Sequence, residues 1–511
     1  MNIPREVTVN GKKSLLPFML VCAVLALISR RLARPAAAQT ASNSAPYDTL
    51  DAYVQQQMRR LNMPGAALAV VEDERIVHTR GFGRARPGGG APSLRTPFVL
   101  GSTTKSFTAL AVMQLVEAGK IDLDAPVRRY LPWFRVADRR ASAQISVRHL
   151  LNQTSGLPQL PGLLALTDFD DSPAATERQA RALASVELSH PVGSAFEYSN
   201  ANYNVLGLIV EAASGESYAD YVQTHIFDPL GMSHSFTSLA AAKRDGLAVG
   251  HRHWFTHPIA VPRLPIPRGS LPSGQLISCA EDMGRYLSAH LNGGRYGSAQ
   301  LLSSAGIDEL HRGAVENTTL GITVKYGMGW FVTDEGPTRI IWHSGTVPDF
   351  SSFIALLPEQ KKGIVLLFNA DHYMLPPVIA EAGLGAASLL GGQEPAPGPF
   401  GYVPWVFRSL LLIPLLQIAG VAATLWLLGR WHRDPALRPD RGRLWGRHVL
   451  LPLLPNLSLA ALPLFLQRSG TLRLMKLFLP DVAWLALICG TFAGIWACLR
   501  TVLVLRAARK L

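Results

Sequence analysis

The sequence of 511 residues predicts an α+β domain, with an antiparallel sheet flanked by helices, followed by an all-α transmembrane bundle. Segments with the alternating pattern of strands lie near both ends of region 39–391, and helical patterns fill its middle. Strands and helices do not alternate as they do in a parallel sheet, so the ends of the domain are expected to close one sheet around a helical subdomain. Three apolar runs occupy the C-terminal end of the chain.

The elements of the domain are predicted from local periodicity and turn residues. A charged turn at 72–74 separates two alternating segments and indicates a hairpin. The predicted elements are, in order, strands at 66–71 and 75–81, a helix at 102–118, helical stretches within 147–291, strands at 326–333, 339–343, 351–357 and 363–369, and a helix at 376–390. A Gly/Pro-rich linker, residues 392–408, is expected to follow.

Residues 1–38 have the pattern of a secretory signal peptide. Basic residues precede an apolar run at 15–28, and Ala36-Ala37-Ala38 offers a small-residue cleavage site. Three arginines between the run and that site leave an uncleaved membrane anchor open as an alternative. In either case, the chain after about residue 40 is expected to be exported.

Basic residues are concentrated at the two ends of the chain. The formal net charge is +13, yet region 39–399 holds 29 basic and 32 acidic residues, whereas region 400–511 holds 14 Lys/Arg against three Asp. Basic residues beside apolar runs are typical of membrane topology. Because no basic stripe with interleaved aromatic residues occurs in the central region, the sequence predicts no nucleic-acid partner.

The C-terminal region 409–511 is predicted to contribute three transmembrane helices, with the lipid bilayer as a partner. The apolar runs are at about 409–428, 449–466 and 482–499. The loop between the first two runs holds six Arg against two Asp, and further basic residues follow the third run. The positive-inside rule places both on the cytoplasmic side, so the large domain is expected on the opposite side.

Neither the cysteines nor the histidines predict a metal or redox site. Cys279 is the one cysteine in region 39–391, so an internal disulfide is not possible there. His251, His253 and His257 lie in a Pro-rich stretch without cysteine or carboxylate partners. We therefore expect no metal and no cofactor.

The segment Ser102-Thr103-Thr104-Lys105 is the central feature for function. It begins a predicted helix, and side chains three positions apart on a helix lie on one face, so the lysine can reach the serine hydroxyl. A neutral lysine can take the serine proton and so produce a nucleophile. On its own the pair is also consistent with a helix-capping serine and a solvated lysine.

Two further segments change this interpretation. Tyr198-Ser199-Asn200 precedes another predicted helix, and His343-Ser344-Gly345-Thr346 follows a predicted strand. Together with Ser102-Thr-Thr-Lys105, they resemble the three-part signature of the serine β-lactamase and penicillin-binding protein superfamily, closest to its class C-like branch of peptidase family S12 type. Agreement extends to His149–Pro158, to Pro272–Ser278 and to Tyr326–Trp330, and covers roughly residues 47–390.

The resemblance implies a β-lactamase/transpeptidase-like fold and a role for each matched residue. Ser102 would be the acylated nucleophile, with Lys105 and Tyr198 sharing the general base and acid duties. Asn200 would hold the amide carbonyl of the substrate. The backbone N–H groups of Ser102 and Thr346 would form the oxyanion hole.

The third motif departs from that of true β-lactamases. His343, Ser344 and Gly345 are expected to contact substrate, but β-lactamases usually have lysine at the first of these positions. A histidine near its ordinary pKa of about 6.5 is mostly neutral at pH 7 and holds a substrate carboxylate poorly. The sequence therefore favours a peptidase or esterase, while a purely structural His343 remains an alternative.

An exported hydrolase with three C-terminal spans resembles inner-membrane peptidases that remove an N-acyl-D-amino-acid cap from prodrug natural products in the bacterial periplasm. The sequence accordingly predicts a periplasmic Ser-Lys-Tyr hydrolase anchored in the inner membrane, acting on a small amide, ester or peptide substrate. A D-amino-acid-specific peptidase or carboxypeptidase is favoured. A non-hydrolytic penicillin-binding sensor, an esterase and a weak class C-like β-lactamase remain alternatives, and the oligomeric state is left open.

Overall fold

The computed structural model describes residues 47–263, 267–319, 322–334, 338–371, 376–396, 398 and 400–509. The predicted signal peptide, residues 1–38, lies outside the described residues. The described chain divides into two compact units. The larger one ends at Gly401, and the smaller one comprises the chain from Tyr402 onward together with Trp254–Thr256.

The larger unit is an α+β domain. Its helices are α1 (Asp48–Leu61), α2 (Thr104–Glu117), α3 (Arg139–Gln144), α4 (Val147–Leu151), α5 (Gln159–Ala165), α6 (Ala175–Ala182), α7 (Asn200–Ser214), α8 (Tyr218–Val222), α9 (Leu239–Arg244), α10 (Leu271–Gly274), α11 (Ala280–Leu291), α12 (Ser304–Leu310) and α13 (Pro376–Leu390). Its strands are β1 (Gly65–Glu72), β2 (Arg75–Gly83), β3 (Phe98–Val99), β4 (Gly250–Trp254), β5 (His257–Val261), β6 (Ile277–Ser278), β7 (Arg295–Tyr296), β8 (Ala299–Gln300), β9 (Val315–Thr319), β10 (Ile322–Gly327), β11 (Trp330–Thr333), β12 (Ile340–Val347), β13 (Phe350–Leu357), β14 (Lys362–Phe368) and β15 (Ala370–Asp371).

The main sheet is antiparallel and joins the two ends of this domain. The described strands form one eight-stranded sheet in the order β2-β1-β14-β13-β12-β11-β10-β9. The hairpin near the start of the domain therefore pairs with the strands near its end, with Ala67 opposite Leu367. This arrangement confirms the predicted α+β class, in which the domain's own ends close the sheet.

Helices cover both faces of this sheet because its central strands are apolar on both sides. Every residue of β13 is buried. A Cβ added to Gly284 of α11 would meet Ile76 and Val71, whereas one added to Gly383 of α13 would meet the ring of Phe353. Val71 and Phe353 lie on opposite faces in the strand register, so α11 and α13 pack on opposite sides.

The helices between the strands contain the most buried helix segments of the domain. In α2, residues 104–113 are all buried, and in α7 residues 200–210 are all buried. A helix segment that is buried nearly all round has protein on every side, and α2 packs against both α7 and α10. The predicted helical subdomain is therefore present, and α2, which follows Ser102, lies at its centre.

Helical stretches dominate region 147–291, as predicted, but the region also contains three short strands that the sequence did not indicate, because β4 pairs with the distant β15 and β6 pairs with β3. One local prediction was wrong. The single strand predicted at 326–333 is two strands, β10 and β11. Met328 and Gly329 both have positive φ and turn the chain there.

The smaller unit is helical. It contains α14 (Val403–Ser409), α15 (Leu412–Arg433), α16 (Arg441–Arg443), α17 (Leu451–Arg468), α18 (Thr471–Phe478) and α19 (Pro480–Arg509). Three continuous helical stretches, Val403–Arg433, Arg441–Arg468 and Pro480–Ala508, are long and apolar enough to cross a membrane. Each of the three predicted apolar runs lies entirely within one of these stretches.

Prolines and one arginine shape the packing of this helical unit. Pro455 and Pro463 lie inside α17, and Gly490 of α19 leaves room for the Pro463 ring. Arg500, one residue beyond the third predicted run, is buried within α19. Its guanidinium donates hydrogen bonds to the Thr424 hydroxyl and to the His448 carbonyl, so it joins α19 to two other segments of the unit.

Candidate active site

Ser102 lies in a tight turn that connects β3 to α2. The turn is a 3₁₀ segment, Gly101–Thr103, and Ser102 is half-buried. Gly101 has φ +60°, and a Cβ at this position would come within 2.4 Å of the Thr346 backbone nitrogen. Glycine is therefore required, both for the left-handed backbone and for the close approach of β12 to the serine turn.

Lys105 is one turn further along and is completely buried. Its Nζ lies 3.1 Å from Ser102 Oγ, 2.8 Å from Asn200 Oδ1 and 2.6 Å from the Ser273 carbonyl oxygen. Burial lowers the pKa of Lys105 well below its ordinary value. Because no carboxylate of the described residues contacts Lys105 to offset that burial, the neutral amine is favoured at this position.

The contacts of Lys105 can also be made by the neutral amine. A neutral lysine has two N–H donors and one lone pair. Asn200 Oδ1 and the Ser273 carbonyl accept hydrogen bonds and cannot donate them, so they take the two N–H groups. The lone pair is then available to the third neighbour, the hydroxyl of Ser102.

Tyr198 lies beside this pair, immediately before α7. The Lys105 nitrogen is 4.8 Å from the centre of the Tyr198 ring, and the phenol interacts with the Ser102 hydroxyl. Burial, with a smaller contribution from Tyr326, raises the pKa of Tyr198 well above its usual range. The side chain is therefore a phenol that can donate a proton, rather than a phenolate.

Asn200 is the first residue of α7 and faces the same amine. The sequence assigned it only to the carbonyl of the substrate, whereas its Oδ1 accepts a hydrogen bond from Lys105. The contact brings together the first and second motifs, which are 95 residues apart. Whether Asn200 also holds substrate stays a prediction.

His343 is buried in β12 with 1% of its surface exposed. Its Nδ1 lies 2.6 Å from the Ser344 carbonyl and must therefore donate, and its Nε2 has no hydrogen-bond partner among the described residues. Burial and the nearby Lys105 lower the pKa of His343 to about 3. The ring is thus neutral at pH 7, and its centre is 6.3 Å from that of Tyr198.

From His343 onward, β12 has a backbone edge that β11 does not cover. Its partner β11 pairs only as far as Trp342, while β13 continues to pair up to Val347. Among the described strands, none pairs with residues 343–347 on the β11 side. Ser344, Gly345 and Thr346 lie in this segment, and the Thr346 nitrogen is against the turn that presents Ser102.

The structure therefore brings together all eight residues predicted for the site. Four further groups that were not predicted from the sequence lie around these residues. They are the Ser273 carbonyl, Ser352, Tyr326 and Gln153. Ser273, Tyr326 and Gln153 lie in segments that contributed to the family resemblance, and that was the available signal for them. Ser352 could not be found this way, because only the strand register places it opposite Gly345.

The three histidines considered for a metal are distributed over two strands. His251 and His253 are in β4 and His257 is in β5, and the His251 ring contacts the Asn369 carbonyl at 3.1 Å. Among the described residues, no group of three or more His, Cys, Asp or Glu could hold a metal ion.

A serine in the turn before a buried helix, a buried lysine, a phenol and an unpaired strand edge in an α+β domain are the features of the β-lactamase and penicillin-binding protein superfamily of serine hydrolases. The chain belongs to the beta-lactamase family, whose family model matches residues 50–387.

Similar proteins agree with this assignment. Protein flp of Staphylococcus aureus (strain MW2) is 28% identical over 340 residues, which is 65% of this chain and 64% of that protein. Penicillin-binding protein 4 of Amycolatopsis lactamdurans is 31% identical over 60% of this chain and 81% of its own. The octameric penicillin-binding protein homologue from Pyrococcus abyssi superposes with a TM-score of 0.61 at 29% identity, covering 69% of this chain and 79% of that one. The match spans less than two thirds of the length of protein flp.

Proposed function

We propose that this protein is a membrane-anchored serine hydrolase that forms an acyl-enzyme at Ser102. The observation that carries the proposal is the buried amine of Lys105, which has two pure acceptors for its N–H groups and the Ser102 hydroxyl 3.1 Å away. This arrangement leaves the lone pair as the proton acceptor for the nucleophile.

The lowered pKa of Lys105 suits it to act as the general base, and the raised pKa of Tyr198 suits it to act as the general acid. Lys105, with its lowered pKa, accepts the proton of Ser102 as the hydroxyl oxygen attacks the substrate carbonyl. Tyr198, with its raised pKa, donates its phenol proton to the leaving amine or alcohol, and Lys105 returns a proton to Tyr198. Water then repeats the sequence in reverse and releases the acid, with both side chains restored.

The negative oxygen formed in each step needs backbone donors. The N–H groups of Ser102 and Thr346 are proposed for this role, because β12 lies directly against the serine turn. Removing one such donor typically costs on the order of 10²–10³ in rate. The strand edge at residues 343–347 would hold the peptide-like part of the substrate by backbone hydrogen bonds.

The neutral third motif defines the preferred substrate class. Because His343 presents an uncharged Nε2 acceptor and no cation, we propose substrates whose group at this position is an N–H or O–H donor and not a carboxylate. Amides of N-acyl-D-amino acids, which carry N–H donors, meet this requirement, whereas a simple ester offers only acceptors there. A carboxypeptidase acting on a free C-terminus fits less well.

We further propose that the catalytic domain lies on the periplasmic side of a bacterial inner membrane. Three helices long and apolar enough to span a bilayer support the anchoring. The orientation is supported by the arginine-rich segment 429–448, which the positive-inside rule assigns to the cytoplasm.

Active-site labelling of the full-length chain in detergent tests the proposal. A fluorophosphonate or a penicillin should add one acyl or phosphonyl group to Ser102, detected by mass spectrometry, and S102A should remain unlabelled. An absence of label on the wild type, or equal labelling of S102A, would contradict the catalytic assignment.

The substrate class is tested separately with the same preparation. N-acyl-D-Asn and N-acyl-D-Ala amides should be deacylated by the wild type and not by S102A. Cleavage of simple esters without any cleavage of these amides would leave an esterase and remove the peptidase. A penicillin adduct that persists for hours would instead support the receptor function.

A further inference from the structure

The loop that follows α4 packs against the segment that carries Tyr198. Gln153, in this loop, is completely buried and has φ +59°, a left-handed conformation that is uncommon for a long side chain. Residues held in such conformations persist when their surroundings over-determine them, and they concentrate at functional sites. The contacts of Gln153 identify which part of the site it serves.

Gln153 accepts hydrogen bonds from the residues on both sides of Tyr198. The Glu197 backbone N–H donates to the Gln153 backbone carbonyl at 2.8 Å. The Ser199 backbone N–H donates to the Gln153 side-chain Oε1 at 2.9 Å. That same oxygen also accepts from the Asn202 side-chain amide in the first turn of α7.

These hydrogen bonds matter because Tyr198 lies outside any helix or strand. Residues 196–199 are irregular, so no helix or sheet ladder fixes the position of the phenol. A catalytic group must be held within a fraction of an ångström, and a displacement of about 1 Å can cost on the order of 10²-fold in rate. Gln153 supplies two hydrogen bonds that bracket the tyrosine.

The conformation of Gln153 explains how one residue can make both contacts. Its left-handed backbone turns the carbonyl toward Glu197 while the side chain extends to Ser199. The ring of Tyr326 packs edge-on against Tyr198 at 6.3 Å. Tyr198 is therefore fixed in two ways, by the hydrogen bonds of its flanking backbone to Gln153 and by the packing of its ring against Tyr326.

We propose that Gln153 is a positioning residue that holds Tyr198 in reach of Ser102, and that it controls the rate of acylation through Tyr198. The inference rests on the proposed function, because it requires Tyr198 to act as the proton donor. It assigns no contact between Gln153 and the substrate.

A double-mutant cycle on the full-length protein tests this inference. Q153A keeps the backbone carbonyl but removes Oε1, and Q153N keeps an amide that tolerates positive φ yet stops about one bond short of Ser199. Both should slow acylation of Ser102 at saturating ester about 10- to 100-fold and leave KM within about twofold. In a Y198F background, Q153A should change the acylation rate by less than about twofold.

Q114A is the matched control, because Gln114 is likewise a glutamine with two hydrogen bonds to backbone groups, its side-chain amide donating to two backbone carbonyls at the far end of α2. It should acylate at the wild-type rate. The inference is overturned if Q153A and Q153N acylate like wild type, or if the effects of Q153A and Y198F multiply. If the wild type itself is never acylated, the proposed function fails instead, so the two failures can be distinguished.

Discussion

Lys105 of the first motif and His343 of the third motif are both buried nitrogen bases of the candidate site, but their hydrogen-bonding neighbours differ. The Nζ of Lys105 has three oxygen neighbours within 3.1 Å. In His343, by contrast, Nδ1 donates to the Ser344 carbonyl and Nε2 has no hydrogen-bond partner among the described residues. Both side chains are almost inaccessible to solvent. Burial removes the charge from each, so the difference lies in what each nitrogen can still bind.

This comparison indicates different roles: Lys105 is placed to act on the Ser102 hydroxyl, whereas His343 is placed to bind a substrate. The neighbours of Lys105 occupy its N–H groups and direct the remaining lone pair to Ser102. The open Nε2 of His343 is an acceptor whose desolvation is not compensated, at a cost of roughly 1–3 kcal/mol in such cases. A bound substrate with a donor at this point would recover that cost.

Removing the amine of Lys105 should produce the largest effect. K105M keeps the length of the side chain but has no proton acceptor, so acylation of Ser102 by a fluorophosphonate should slow about 10²–10⁴-fold. Stopped-flow or gel-based labelling measures this rate. K325M, at a lysine on the surface of the domain, is the control and should label like wild type. A K105M protein that labels within tenfold of wild type would contradict the assigned base.

Placing a cation in the third motif should change the substrate preference. H343K puts an amine where β-lactamases have lysine, and a charge-assisted hydrogen bond to carboxylate is worth about 1.5–3 kcal/mol. The ratio of acylation efficiency for a penicillin over an uncharged ester should therefore rise about 10- to 100-fold. H343Q, which is neutral, should not raise it. An unchanged ratio in H343K would show that position 343 does not face the substrate carboxylate.

The buried neutral state of His343 should appear in the pH dependence of stability. Its pKa is about 3 in the folded chain and about 6.5 when exposed, so the unfolded chain binds one more proton between these values. Stability therefore falls as the pH drops below about 6.5, by up to ~1.4 kcal/mol per unit, or about tenfold in the folding equilibrium. The free energy of unfolding of the full-length chain can be measured with denaturant between pH 4.5 and 7. Its change per pH unit should be smaller by this amount in H343Q than in the wild type.

The matching variant for that experiment is H290Q, because burial also lowers the pKa of His290 to about 3. H290Q should reduce the slope similarly but leave ester acylation unchanged, since His290 does not contact the site residues. Equal slopes in wild type and H343Q would mean that His343 is accessible and protonated in the folded protein.

The smallest expected effect concerns the support of the serine turn. The Ser352 hydroxyl donates to the Leu100 carbonyl at 2.5 Å, two residues before Ser102, whereas the Ser351 hydroxyl donates to Ala370 on the other face of β13. A neutral hydrogen bond is worth about 0.5–1.5 kcal/mol, so S352A should slow acylation roughly 2- to 10-fold. S351A, equally buried, should not slow it. Equal rates for the two variants would assign Ser352 a purely structural role.

Local patterns were sufficient for much of this protein. The alternating segments near both ends of the domain, the helix that begins at Ser102 and the three apolar runs all correspond to observed elements. Each depends on periodicity or on contacts between residues three or four positions apart. The strands β4 to β6, which local patterns did not indicate, depend on pairing with distant strands, and the single strand wrongly predicted at 326–333 is divided by two residues with positive φ.

The sequence by itself determined the chemical identities in the site and the order of its three motifs. It also determined that Ser102 and Lys105 share one helix face, because that geometry is local. Only the tertiary structure decided the protonation states of the site residues. Lys105 and His343 are neutral because distant segments exclude water from them, and Asn200 and the Ser273 carbonyl fill positions around Lys105 that no local pattern specifies. Burial and long-range hydrogen bonds set the pKa of a side chain, and both exist only after the chain has folded.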